Sequence, residues 1–229
     1  MGLPESNEEY HSYTDKIVYI SARLAADPKT EIAADIISQV LASIDEAQLM
    51  LRDARREEVR ARARLDHVDA LGDKQLGRFR RQLDVYESGV FIRNRLFPRG
   101  LAQQAAPRGR AQLEVLTKQR AALEDLLASD QLGTHEDALE LRAVLEGGEQ
   151  MLDELMIELD EAAGEWERCN EELARAGDRL RSRRASGVAQ LGVVMGELRV
   201  LLGSSSRTAY ACTVPARAPN ESRTKRADG

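Results

Sequence analysis

From Ala33 onward the apolar residues of this chain recur in alternating steps of four and three: Ala33, Ile37, Val40, Ile44, Ala47, Leu51, Ala54, then Glu58, Ala61, Leu65 and Val68. An α-helix turns once every 3.6 residues, so this repeat lines all of these side chains along one stripe. A strand needs an alternation of period two, which the spacing excludes. A second run obeys the same rule for longer: Ala138, Leu141, Leu145, Gly148, Leu152, Leu155, Leu159, Ala162, Trp166, Cys169, Leu173, Ala176 and Leu180. Two such stripes in one chain predict long helices that bury a shared seam. Composition fits this, because aromatic residues make up only 4% and charged residues 31%. So few bulky side chains fill a large globular core badly, whereas a helical seam needs fewer of them. The expected fold class is all-α: a long antiparallel coiled-coil helical hairpin with an elbow, short terminal helices at its open end, and a disordered C-terminal tail.

Local signals set the boundaries. Ser6-Asn7-Glu8-Glu9 has the capping-box pattern and predicts a short helix from there to about Ala25. Asp27-Pro28 reads as an N-cap followed by proline in the first turn, which opens the next helix. Gly72 interrupts the first stripe. A new one follows through Leu76, Phe79, Leu83, Tyr86, Val90, Arg93 and Phe97. Two four-residue steps in succession at Gly72 predict a stutter there, the elbow. The proline- and glycine-rich stretch 98–109 is the expected fold-back. A helix resumes near Arg110 with Leu113, Leu116, Arg120, Leu123 and Leu127, and a second break is expected at 129–133, before a Thr134 cap. The domain reading is therefore a short N-terminal helix in 1–27, the hairpin in 28–186, an apolar helix in 187–203 and a disordered tail in 204–229.

Two features argue for a hairpin. With the fold-back near residue 103, the breaks at Gly72 and at 129–133 fall at similar heights on opposite arms. The first long seam then pairs with the last, and residues 10–25 lie opposite 181–196. Charge is also divided. Residues 52–110 carry 15 Lys/Arg and 8 Asp/Glu, and residues 111–178 carry 5 and 19. A basic arm beside an acidic one selects partner and orientation more than it adds stability.

The chemistry-bearing residues are sparse. Cys169 and Cys212 are far apart and His11, His67 and His135 are isolated, so neither a disulfide framework nor a metal site is expected. No phosphate-binding glycine loop or nucleophile elbow occurs, so no catalytic residue and no cofactor is expected. The acidic, polar start does not read as a signal peptide, and no apolar run reaches the ~20 residues of a membrane span. The expected location is the cytoplasm. Arginines gather toward the fold-back, and Phe91 lies off the seam. The candidate partner contact is therefore Phe91, Arg93, Arg95, Arg99, Arg108 and Arg110. The functional expectation is a non-enzymatic structural or protein-interaction protein, a scaffold or spacer that self-associates and binds an unidentified protein partner. The alternative is a nucleic-acid-binding arm, since basic and aromatic residues together grip phosphates and stack on bases.

Overall fold

The computed structural model describes residues 9–86, 88–98, 100–101, 108–129 and 136–202, with the backbone alone at 136 and 137. The chain is all-α. Its helices are α1 (Tyr10–Ala25), α2 (Glu31–Leu83), α3 (Gly89–Leu96), α4 (Arg110–Ala128) and α5 (Glu136–Leu202), and no strand occurs among the described residues. It divides into two compact units. The first comprises residues 1–53 and 174–229, the second 54–173. The capping serine Ser6, the Thr134 cap and the tail 204–229 lie outside the described residues.

In the first unit three helices share a core. Tyr13, Ile17, Ile20 and Leu24 of α1 pack with Ile37, Val40 and Ile44 of α2 and with Leu191, Val194 and Leu198 of α5. Helix α1 starts at Tyr10, because Glu9 is extended (φ −57°, ψ 145°) and serves as the N-cap rather than as the third helical residue of a capping box. The Asp27-Pro28 signal works as expected. The Asp27 side chain accepts from the Lys29 amide at 3.0 Å and opens a 3-10 turn, Pro28–Thr30, that runs into α2. The buried Thr30 hydroxyl donates to the Leu24 carbonyl and ties the end of α1 to this turn. Helix α1 therefore runs back along α2, with Ser21 against Ser38 at 2.9 Å. Helix α5 is also antiparallel to α2, since Gly187 faces Val40 and Ile44 while Gly177 faces Leu51. It follows that α1 runs parallel to α5. Segments 10–25 and 181–196 do pack together, but in the opposite direction from the one a mirror about residue 103 implies: Tyr13 donates to the Arg184 carbonyl at 2.9 Å.

In the second unit α2 and α5 are again antiparallel. Trp166 lies against Glu58, Leu155 against Gly72, and Gly148 against Phe79. Helices α3 and α4 complete the core through Ile92, Leu96, Leu116, Leu123 and Leu126. Arg120 of α4 reaches Asp153 and Glu149 of α5, both at 3.1 Å, so α4 runs antiparallel to α5 and parallel to α2.

Three sequence expectations are corrected here. Gly72 does not break the chain, because α2 continues to Leu83 and the missing side chain makes room for Leu155. The first reversal comes instead at 84–88, ahead of Gly89. A Cβ on Gly89 would stand 1.7 Å from the Leu83 carbonyl oxygen, so only glycine allows the two backbones to meet there. This break shifts the register of α3, which buries Ile92 and Leu96 and leaves Val90 exposed. Finally, 98–109 is not where α2 turns toward α5. Gly109 lies beside Leu65 and Arg108 beside Asp73, so the chain has already travelled back along α2 by that point.

Two glycines of α5 should respond oppositely to alanine. A Cβ at Gly187 would meet the Tyr13 hydroxyl and Val40 at 2.9 Å, whereas Gly147 has nothing within 4 Å. Thermal or urea unfolding should show Gly187→Ala destabilised by ~1–3 kcal/mol through overpacking. Gly147→Ala should be stabilised by up to ~1 kcal/mol through helix propensity.

Candidate functional site

The arginines grouped by sequence do not form one cluster. Arg93 pairs with Asp84 at 2.6 Å, and Arg95 approaches Asp125 near the C-terminal end of α4 at 3.9 Å. Arg108 and Arg110 stand at the other end of α4. Residues 110 and 125 of one helix are separated by ~22 Å at 1.5 Å per residue. Arg108 pairs with Asp73 at 3.3 Å, and Arg110 with Glu167 at 3.2 Å and with Asp160. Arg99 lies outside the described residues. Phe91 is 59% exposed, as its off-seam position implies.

What the second unit does build is a cleft of about 550 Å³ at the start of α4. Helix α2 lines it with Arg62, Leu65, Asp66 and Asp69, the start of α4 with Arg108 to Ala111, and α5 with Ala163, Trp166 and Glu167. The indole N–H of Trp166 donates to Glu58 at 3.1 Å. That bond explains the carboxylate in the α2 seam, where the heptad asks for an apolar residue. It also fixes the ring against the cleft.

Asp69 is the unusual member. It is only 2% exposed, yet its Oδ1 has no hydrogen-bond partner among the described residues. Burial pushes its carboxyl above the ordinary value. The Gly109 backbone N–H and the Arg108 charge oppose that shift, while Asp73 and Asp66 add to it. One turn further along α2, Asp73 gives one oxygen to Arg108 and keeps its other oxygen buried without a partner among the described residues. Nothing in the heptad pattern marks Asp69, which follows Val68 at a position that two paired helices would leave in solvent. It is buried because the start of α4 lies over it.

Elsewhere the chemistry is quiet. Burial, followed by Glu172 and Glu165, raises the Cys169 thiol, so it stays protonated and is a poor nucleophile. Among the described residues no group of three or more His, Cys, Asp or Glu could hold a metal ion. No family model matches the chain, and no curated protein and no solved structure shows significant similarity to it.

The buried Asp69 carboxylate has a pH signature. Its ionisation is disfavoured in the folded state, so its contribution to stability is complete below the ordinary carboxylate pKa and is lost as pH rises through the raised folded value. Asp69→Asn should therefore melt a few degrees above the wild type at neutral pH. The gap should close on acidification below about pH 4, where the wild-type Asp69 carboxyl is protonated in the folded and the unfolded chain alike. Parallel melts across pH 3–8 check this; a variant less stable at neutral pH would contradict it.

Proposed function

We propose that this chain is a non-enzymatic coiled-coil structural or protein-interaction protein of the cytoplasm, and that it self-associates through the C-terminal turns of α5. The coiled-coil part is supported by the antiparallel α2–α5 contacts in each unit and by the burial of the heptad positions. The self-association part rests on one observation. Val193 and Val200 are 61% and 84% exposed on a helix whose opposite face, Leu191, Val194 and Leu198, is buried. Val193 and Val200 are one heptad apart and so lie on one stripe. Gly192 and Gly196 beside them have open space where a Cβ would stand, which allows a second helix to approach closely.

A second copy suits this stripe. Set antiparallel about the bond between Gly196 and Glu197, Val193 of one copy meets Val200 of the other. Such an interface is small beside the ~800 Å² per partner of a standard stable complex, so the dimer formed by it alone is weak and concentration-dependent. A lipid surface is the competing occupant. An 18-residue window of α5 reaches a mean hydropathy of 1.3, as core helices of soluble proteins also do, but only 28% of this window is buried.

The nucleic-acid reading has less support. The four described arginines of the candidate contact, Arg93, Arg95, Arg108 and Arg110, each have a carboxylate within 4 Å. Anisotropy titrations with single- and double-stranded oligonucleotides at about 50 mM salt should show no salt-sensitive binding, the signature of released counterions.

Sedimentation equilibrium tests the dimer. The wild type should move from monomer toward dimer as concentration rises into the hundreds of micromolar. Val193→Glu/Val200→Glu should remain monomeric with unchanged helicity, because both side chains face solvent. A wild type that is monomeric throughout sinks the self-association reading. If it also co-sediments with anionic vesicles, a lipid surface takes the place of the second copy.

A further inference from the structure

We propose that the cleft at the start of α4 is a binding site for a small organic cation, a primary alkylammonium whose N–H groups bond the Asp69 carboxylate while its apolar stem lies against Leu65 and the Trp166 indole. The reading is independent of the self-association proposed above, since every residue concerned belongs to the second unit.

Three observations point to this ligand class. The first is the unmet need. Asp69 lines the cleft, is 98% removed from solvent, and keeps Oδ1 without a hydrogen-bond partner among the described residues. A buried acceptor in that state costs free energy until a donor arrives, and a charged donor answers it best. The second is charge. Asp66, Asp69 and Glu167 line the cleft, and Asp73 and Asp160 hold two of its arginines, so five carboxylates surround Arg62, Arg108 and Arg110. Because Arg108 and Arg110 are already engaged by these acids, an anion would have to displace a carboxylate to reach them. A cation can instead answer the unsatisfied oxygen of Asp69, a residue that lines the cleft. The third is the wall. Indole is the strongest aromatic partner for an ammonium group or its adjoining methylenes, and Trp166 is held in the cleft lining by its bond to Glu58.

Size and donor type narrow the ligand further. One water occupies roughly 30 Å³, so a single water leaves most of a cleft of about 550 Å³ unfilled. Among the described residues no set of three metal-ligating side chains converges, which favours an organic cation over a metal ion. The acceptor calls for N–H donors, and a quaternary ammonium has none.

Trp166 is the only tryptophan in the chain, so its emission reads the cleft directly. The full-length protein is titrated with 1,4-diaminobutane at constant ionic strength and neutral pH. Isothermal calorimetry is run on the same samples. The expected result is a saturable change in emission, matched by heat, with a Kd at or below about 1 mM. Asp69→Asn, verified as folded by its melt, should weaken binding at least tenfold. Tetramethylammonium chloride and sodium phosphate should give no saturable change. Absence of saturation in the wild type up to about 20 mM diamine overturns the proposal without recourse to any variant. Equal affinity in Asp69→Asn, equal binding of tetramethylammonium, or binding of phosphate in place of the diamine overturns it as well.

Discussion

The structure depends on the close antiparallel packing of α2 against α5, and that packing depends on small residues facing large ones. Gly148 admits the Phe79 ring, Gly72 admits Leu155, and Gly187 admits Tyr13, Val40 and Ile44. Where helix axes approach closely, a single added methyl group is felt, because interiors are packed to the density of organic crystals. The remaining helices build on this pairing within each unit: α1 in the first, α3 and α4 in the second. The covering helices broaden the buried face beyond one side chain per turn. Ala33 and Ala34, Ala162 and Ala163, and Val194 and Met195 are buried as neighbouring pairs, which a seam between only two helices does not require.

Charge plays a different part. The basic and acidic segments that stand out in the sequence are largely spent on one another inside the second unit. Arg64 reaches Glu165 and Glu161, Arg110 reaches Asp160 and Glu167, and Arg120 reaches Glu149 and Asp153. None of these pairs is buried, so each adds little stability and mainly favours the antiparallel register over its alternatives. Arg120 is the more enclosed case, with three carboxylates around one guanidinium.

Against this background Asp69 stands out for physical reasons. A protein gains nothing in stability from a buried carboxylate without a full set of partners, which makes such a group a candidate for a functional site. Its neighbours share the character. Among the described residues Asp73 keeps a buried oxygen unpartnered, and Gln112, within the first turn of α4, is buried with its side-chain carbonyl in the same state. The start of α4 is therefore a polar layer in a mainly apolar core, beside the one tryptophan.

The sequence by itself determined that the chain is helical, and it determined which face of the long helices is buried. Heptad spacing records the stripe that must leave water, so Ile37 to Val68 and Leu141 to Leu180 were legible as seam residues, down to the polar intruder Glu58. The Asp27-Pro28 start was legible because its chemistry is local. The choice of turn was only half legible. Gly72 interrupts an apolar stripe, whereas the stripe that follows runs past Gly89 without a slip, so the spacing of apolar residues favoured Gly72. The decision between them lay with distant atoms: Leu155 fills the space at Gly72, while the Leu83 carbonyl oxygen occupies the space at Gly89. Only the tertiary structure could bury Asp69, separate Arg95 from Arg110, and set α1 parallel to α5. Each of these depends on which helix lies over which, and one helix's periodicity records that a face is covered without recording what covers it.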